Sequence, residues 1–254
     1  LEVLKEGGFD AENYKPIVAD RAFFWDRSLN QILYVDLTSG EVLFPKNVEA
    51  NKATWYSLSG TFYGEEATVV LPATPAANDG QNITISVANG ADFIKVAEFI
   101  NQNDTLFKSE STERTLTIEL TSDINLMGAD INFTDTETKN MNVVIKSNDG
   151  TKRTITGLYI SDAHATSGQS SNGVSGNDYG HSMFYYVKSL TVENIAVEYS
   201  VIGGYSASQA GFFAAQVNGN ASFTNVSVEH CSIQGNRKVG VLCGYTHGTL
   251  SFTN

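Results

Sequence analysis

A short pattern that occurs twice near the end of the chain constrains its fold more than any other feature. The segment GFFAAQVNGNASFTN at 211–225 returns as GVLCGYTHGTLSFTN at 240–254, an offset of 29 residues, and NIAVE at 194–198 matches NVSVE at 225–229. A unit of about 30 residues is too short to bury its own apolar side chains, but it buries them when it stacks on the next unit. The repeat therefore predicts a solenoid of stacked β coils.

Stacked coils require equivalent side chains at equivalent positions, strand over strand at a spacing of about 4.8 Å. The predicted interior column consists of Val192, Phe223 and Phe252. The in–out alternation changes phase two residues later, and the residues at that point are Asn194, Asn225 and Asn254. Asn tolerates tight bends, and stacked Asn amides can hydrogen-bond along a stack. We therefore expect an asparagine ladder at one corner of the coils.

The chain divides into three parts. Residues 1–75 contain three short strand-like segments, at 22–26, 31–36 and 41–44, and we predict a small β-rich domain that begins with a helical segment. Residues 76–90 have the composition of a linker. Residues 91–254 form the predicted right-handed parallel β-helix, and apolar residues at helical spacing near 91–101 predict its N-terminal capping helix. Because the last repeat lacks a cap, we expect the natural chain to continue past Asn254.

Composition narrows the classes of partner. The 254 residues carry 28 Asp and Glu against 16 Lys and Arg, a formal net charge of −12. Few cations are available to neutralise phosphates, so neither nucleic acid nor an anionic membrane surface is an expected partner. The sequence has no run of 18 apolar residues, which predicts no membrane insertion of this segment. We predict no cofactor and no metal site, since the four histidines lack the spacing of metal ligands.

Two sets of motifs resemble known proteins. RTLTIELTSDINLMG and RTITGLYISD, at 114–128 and 153–162, resemble the opening coils of right-handed parallel β-helix proteins of the pectin-lyase-like class. The series SMFYYV, LTVENIAV, GFFAAQV, FTNVSVEHCSI and GVLCGY resembles the GLUG repeats of bacterial surface proteins. The resemblance covers roughly residues 90–254 and implies a mainly β fold, extracellular display and adhesion. It implies no catalytic residues, because the repeat motif is structural.

Four residues are the candidate binding positions. Glu198 and Glu229 occupy one repeat position on adjacent coils, so their carboxylates are expected about 5 Å apart, close to the separation in a retaining glycosidase. Tyr179 and His181 belong to a polar, Gly-rich stretch at 170–182 that is long enough to be a functional loop and could contact a glycan. The alternatives are two solvated glutamates and a plain flexible loop.

These observations predict a non-catalytic, secreted or cell-surface bacterial protein, an adhesin-like scaffold that presents a β-helix surface to glycans or proteins. The alternative is a polysaccharide lyase or glycoside hydrolase on the same fold, because a fold does not fix an activity. We predict no catalytic residue, since no acid–base set of the polygalacturonase type stands out. Cys231 and Cys243 are interpreted either as two buried thiols or as a disulfide.

Overall fold

The computed structural model describes residues 16–18, 21–26, 31–36, 42–43, 61–62, 65–72, 82–103, 113–126, 134–160, 179–202, 207–235 and 237–254. These residues are mainly β, with one α-helix, α1 (Gly90–Gln102). The strands are β1 (Pro16–Val18), β2 (Arg21–Asp26), β3 (Gln31–Asp36), β4 (Val42–Leu43), β5 (Thr61–Phe62), β6 (Glu65–Glu66), β7 (Ile83–Val87), β8 (Arg114–Leu120), β9 (Ile124–Asn125), β10 (Thr134–Ser147), β11 (Arg153–Thr156), β12 (Tyr159–Ile160), β13 (Tyr179–His181), β14 (Phe184–Glu193), β15 (Ile195–Glu198), β16 (Val201–Ile202), β17 (Ala207–Ala210), β18 (Ala214–Val217), β19 (Ala221–Thr224), β20 (Ser227–Glu229), β21 (Ser232–Ile233), β22 (Lys238–Val239), β23 (Cys243–Thr246) and β24 (Leu250–Thr253).

The first strands form antiparallel pairs. β1 to β4 make a four-stranded sheet in chain order, and β5 pairs with β6. The segments expected at 22–26, 31–36 and 41–44 correspond to β2, β3 and β4. The helical segment expected at the start of the chain lies outside the described residues. Whether residues 1–75 are a separate domain stays a prediction.

The second half of the chain is a parallel β-solenoid of about four turns. Its largest sheet has the strand order β23–β18–β14–β10–β8–β7, and β19 and β24 extend it from β14. Three further sheets follow the same coils, in the orders β20–β15–β11–β9, β12–β16–β21 and β13–β17–β22. Every strand pair in these four sheets is parallel. Stacked coils require parallel pairing of equivalent strands, so the predicted solenoid is confirmed.

Apolar columns fill the interior of the solenoid. One column consists of Ile85, Ile118, Ile145, Val192, Phe223 and Phe252, each the register partner of the next. Every member from Ile85 to Phe223 is at most 2% exposed, whereas Phe252 is 64% exposed. The rings of Phe223 and Phe252 stack with their centroids 5.6 Å apart. The register therefore places the three expected interior residues, Val192, Phe223 and Phe252, in one column.

A bend follows this column at the corner where the asparagines lie. Asn194 and Asn225 have φ angles of 56° and 51°, in the left-handed region that Asn adopts more readily than most other residues with a Cβ. Asn225 Nδ2 donates a hydrogen bond to Asn194 Oδ1 at 2.8 Å. The two amides form one step of a ladder. Asn254 follows Thr253, the register partner of Thr224, and so occupies the equivalent position on the last coil.

The turns before β18 and β23 explain why glycine opens both copies of the repeat. A Cβ added at Gly211 would lie 2.6 Å from the carbonyl oxygen of Ala214, and one added at Gly240 would collide with the carbonyl oxygen of Cys243. Only glycine permits this close return of the backbone. The same requirement on each coil makes glycine recur at the same repeat position.

The helix α1 packs beside the first strands of the solenoid. The side-chain oxygen of Asn89 accepts a hydrogen bond from Asp92 N at 2.8 Å, which caps the helix N-terminus. The apolar side chains of α1 join the interior cluster, and the helix contacts β7, β9 and β10. The residues of α1 in the interior cluster are Phe93, Val96, Ala97, Phe99 and Ile100. The role of α1 as a cap stays a prediction.

The linker expected at 76–90 stays a prediction, and part of that range is described before α1. Within that range β7 alternates buried and exposed residues and pairs in parallel with β8. Further upstream, the carboxylate of Asp92 accepts hydrogen bonds from the backbone N–H groups of Thr68, Val69 and Ala88 at 2.5, 2.8 and 2.9 Å. Val69 and Leu71 pack against the interior cluster. The five residues of β7 are too few to stand out from the Pro, Asn and Gly residues that precede them.

Candidate functional site

The structure places the four candidate binding residues in two different sheets. Glu198 ends β15 and Glu229 ends β20, and the two are register partners in a parallel pair. Tyr179 and His181 begin and end β13, which belongs to the sheet β13–β17–β22. Their side chains lie outside the described part of the chain. The structure therefore brings Glu198 and Glu229 together and places Tyr179 and His181 in another sheet.

Each of these glutamates is followed by a ring-bearing residue with a left-handed backbone. Tyr199 has a φ of 45° and His230 a φ of 52°. The two rings stack, with centroids 4.9 Å apart and planes inclined by 16°. This conformation is uncommon for bulky residues and costs about 1–2 kcal/mol each, and such outliers occur often at functional sites. We call Glu198, Tyr199, Glu229 and His230 the carboxylate–ring corner.

The repeat explains why this corner exists on both coils. Val197-Glu198-Tyr199-Ser200 and Val228-Glu229-His230-Cys231 occupy the same repeat positions, and β15 and β20 end at the same level. Sequence reasoning identified the two glutamates and missed the two rings. The signal that could have found them is the alignment itself, because it places Tyr199 and His230 at the same repeat position on adjacent coils.

Hydrogen bonds of Ser200 and Cys231 fix the backbone of the carboxylate–ring corner. The hydroxyl of Ser200, which is fully buried, accepts a hydrogen bond from Leu158 N at 3.0 Å and donates one to Glu198 O at 2.8 Å. Ser200 N donates to Cys231 Sγ at 3.4 Å, and Cys231 Sγ lies 3.1 Å from Glu229 O. The chain segments that carry both glutamates are therefore fixed by polar contacts to the interior.

The cysteines are free thiols, so the disulfide interpretation is wrong. Both Cys231 and Cys243 are half-buried. Burial raises the pKa of Cys231 from 9.0 to about 11, and the nearby Glu198 carboxylate acts in the same direction. Burial also raises the pKa of Cys243. The thiolate is the reactive form of cysteine, so neither side chain is suited to act as a nucleophile at neutral pH.

The carboxylate–ring corner combines two kinds of binding group. Glu229 and His230 are exposed, and Glu198 and Tyr199 are half-buried. Carboxylate oxygens accept hydrogen bonds from hydroxyl groups, and flat rings offer apolar surface with a polar tip. Because hydrogen bonds already fix the backbone of the corner, ligand binding does not carry the entropy cost of ordering a loop. The corner can therefore recognise a ligand that has both hydroxyl groups and apolar C–H faces.

A metal centre was also sought among the titratable residues. In the ranges that the structure describes, no group of three or more His, Cys, Asp or Glu residues is placed to hold a metal ion. His247 contacts Gln216 through its Nε2 atom at 3.0 Å. Among the same residues, no helix has the length and apolar character needed to cross a membrane.

Comparisons with protein-family models, with curated proteins and with solved structures find no match to this chain.

Proposed function

We propose that this chain is a non-catalytic scaffold of a secreted or cell-surface bacterial protein, and that it binds glycans through the outer surface of its solenoid. The proposal includes the finer assignment that the sequence resemblance implies, a right-handed β-helix of the pectin-lyase-like class with GLUG-type repeats. The observation that carries the binding role is the stacked Tyr199–His230 pair, in which each ring residue directly follows one of two register-paired glutamates.

The composition of this corner favours a carbohydrate among the possible extracellular ligands. Sugars carry hydroxyl groups that donate to carboxylates, and their C–H faces pack on aromatic rings. The net charge of −12 disfavours nucleic acid, whose binding depends on neutralising phosphates. Because β15 and β20 are adjacent parallel strands, the two glutamates repeat along the solenoid axis, which suits a chain of sugar units better than a single one.

A glycan array tests the proposal directly. The 254-residue chain is expected to bind a subset of neutral glycans, and binding should fall about tenfold in a Tyr199→Asn, His230→Asn double variant. Asn is the appropriate replacement because Asn194 and Asn225 already adopt a left-handed backbone on the same coils. The variant therefore removes the rings while it keeps the bend.

A second variant isolates the carboxylates. Glu229→Gln should weaken the same interaction, because it replaces a charged acceptor by a neutral amide. Glu193→Gln is the matched control, since Glu193 lies on the largest sheet, away from the carboxylate–ring corner. Equal glycan binding by the wild type and the corner variants, or equal losses in Glu229→Gln and Glu193→Gln, would contradict the proposed site.

The enzymatic alternative depends on the same two glutamates. A retaining glycosidase needs one carboxylate as nucleophile and a second as acid and base. The register of Glu198 and Glu229 is the observation that keeps this alternative as a second candidate. Mass spectrometry of any bound oligosaccharide after prolonged incubation separates the two functions. Cleavage that disappears in both Glu198→Gln and Glu229→Gln would establish the enzyme, and intact oligosaccharide would support the scaffold.

A further inference from the structure

A second cluster of polar and aromatic side chains lies on the last coils, at the junction of two sheets. Its members are Gln209 of β17, Gln216 of β18, Lys238 of β22, and Tyr245 and His247 of β23 and the turn after it. Gln209 is the register partner of Lys238, and Gln216 is the register partner of Tyr245. We call these five residues the basic corner.

The side chains of the basic corner contact one another. The ammonium group of Lys238 lies 4.0 Å from the centroid of the Tyr245 ring, a cation–π contact. The ring of His247 meets Tyr245 edge-on, with centroids 4.6 Å apart. His247 in turn contacts the amide of Gln216, which is only 3% exposed. The Lys238 ammonium therefore lies over the Tyr245 ring, and that ring contacts His247, which is fixed in turn by the buried Gln216.

The strands that form this corner carry a charge opposite in sign to that of the whole chain. No Asp or Glu follows Glu229, whereas Arg237 and Lys238 both lie in the last 25 residues. The strands β17, β18, β22 and β23 contain no acidic residue. On a chain with a net charge of −12, Lys238 therefore lies on a strand set without carboxylates, which favours an anion beside it.

A buried acceptor next to Lys238 also lacks a partner. Gln209 is 2% exposed, and its Oε1 atom has no hydrogen-bond partner in the described part of the chain. Buried carbonyl oxygens are almost always hydrogen-bonded, because leaving one unpaired is costly. Gln209 and Lys238 are parallel register partners, so their side chains leave the same face of the sheet, with Gln209 buried and Lys238 exposed. A ligand with hydroxyl donors and a negative group satisfies both.

We infer that the basic corner is a subsite for a glycan that carries a negatively charged substituent. Lys238 binds the anionic group, the edge of Tyr245 packs against the sugar ring, and the glutamine carbonyl accepts from a hydroxyl group. This inference rests on the proposed glycan-binding role and adds to it the charge of the ligand. A carboxylate and a sulfate ester meet the same requirement, and the experiment distinguishes them.

Three related sugars provide the test. Lactose, 3′-sialyllactose and 3′-sulfolactose share a neutral core and differ in carrying no charge, a carboxylate or a sulfate ester. Titration of the 254-residue chain, followed by ligand-observed NMR, should show binding of at least one charged sugar about tenfold tighter than lactose. The charged sugar that binds more tightly identifies the anion. No binding of either charged sugar up to about 10 mM overturns the inference.

Two matched substitutions distinguish binding at Lys238 from a nonspecific effect of the net charge of the protein. Lys238→Gln should weaken binding of the charged sugar about tenfold. Lys152→Gln changes the net charge equally, but Lys152 is an exposed residue just before β11, away from this corner, and it should leave binding unchanged. Equal losses in both variants, or no loss in Lys238→Gln, would overturn the inference.

The same titration separates failure of this inference from failure of the proposed function. If binding of the charged sugar falls in the Tyr199→Asn, His230→Asn variant and not in Lys238→Gln, the basic corner is refuted while the carboxylate–ring corner stands. If no glycan of any charge binds, both are refuted. Retained binding in the double variant with loss in Lys238→Gln supports the basic corner as an independent subsite.

Discussion

The middle coils and the last coil of the solenoid carry nearly the same sequence in different surroundings. Ser222-Phe223-Thr224-Asn225 and Ser251-Phe252-Thr253-Asn254 are identical and lie in register. Phe223 is 2% exposed because β14 and β24 flank its strand, whereas Phe252 is 64% exposed. Val226, Val228 and Leu250 line a cavity of about 410 Å³ beside Phe252.

This contrast shows that the energetic role of a repeat residue depends on its neighbours along the axis. An interior side chain in a solenoid is buried mainly by the coils before and after its own, so identical residues contribute different amounts. Residues of the first solenoid strand, β7, likewise owe their burial to the neighbouring segments. Ile83 and Ile85 of β7 are at most 3% exposed because α1 and the segment around Val69 pack against the same cluster.

The largest expected difference is between Phe223→Ala and Phe252→Ala. Removing the buried ring of Phe223 should lower the free energy of unfolding by about 3–5 kcal/mol, because it leaves a cavity between two coils. In the 254-residue chain, Phe252→Ala should cost about 1 kcal/mol or less, since most of that residue is already in contact with solvent. Urea denaturation followed by circular dichroism measures both values. Similar losses for the two variants would contradict the register that places them in one column.

A second prediction concerns the other end of the solenoid, where α1 packs on the first strand. Asp92→Ala should lower the free energy of unfolding by about 2–3 kcal/mol, because three backbone N–H groups lose a charged acceptor. Asp149→Ala is the control, since the exposed Asp149 carboxylate contacts Thr151 and Arg153 in an exposed turn, and it should cost much less than Asp92→Ala.

Limited proteolysis adds a structural measurement to that prediction. If Asp92 fastens residues 68–69 to the helix, its loss should increase cleavage around Val69 more than elsewhere. Unchanged stability and an unchanged cleavage pattern in Asp92→Ala would show that the segment before α1 does not depend on this carboxylate.

A third, smaller effect is expected at the asparagine corner. Asn225→Ala should cost about 2 kcal/mol, about half from the left-handed backbone and half from the lost amide contact with Asn194. Asn225→Gly keeps the backbone freedom and should cost only about 1 kcal/mol. Asn254→Ala should change the unfolding midpoint little. A Gly variant as unstable as the Ala variant would show that the amide, and not the bend, accounts for the whole loss.

The parts of this molecule that local rules determine were accessible from the sequence. The 29-residue offset predicted the register of Phe223 with Phe252, and the phase change predicted a bend at Asn225, because both follow from the requirement that coils match. The stacked Tyr199–His230 pair was not predicted, since an aromatic residue is a poor indicator of a left-handed bend. The hydrogen bonds of Asp92 to Thr68 and Val69 were not predicted, because they join residues more than 20 positions apart without any repeat to indicate them.

The smallest effects are expected on the reactivity of the two thiols. Cys231 lies on a middle coil and Cys243 on the last one. The pKa of Cys231 is raised to about 11, so its labelling by iodoacetamide at pH 8 should be much slower than that of free cysteine and should rise steeply toward pH 11. Cys243 lines the open cavity near Phe252, and its pKa is raised by burial alone, so it should be labelled faster. Peptide mapping by mass spectrometry measures the two rates.

The same shift gives a dependence of stability on pH. The folded protein retains the proton on Cys231 up to about pH 11, whereas the unfolded chain loses it near its ordinary pKa of 9.0. Stability from this thiol is therefore complete below pH 9 and declines as the pH rises from 9 to 11. Cys231→Ser should weaken that decline in urea titrations, because a hydroxyl does not ionise there. Rapid labelling of Cys231 at pH 8, or an undiminished decline in the serine variant, would show that this thiol is not held neutral beneath the carboxylate–ring corner.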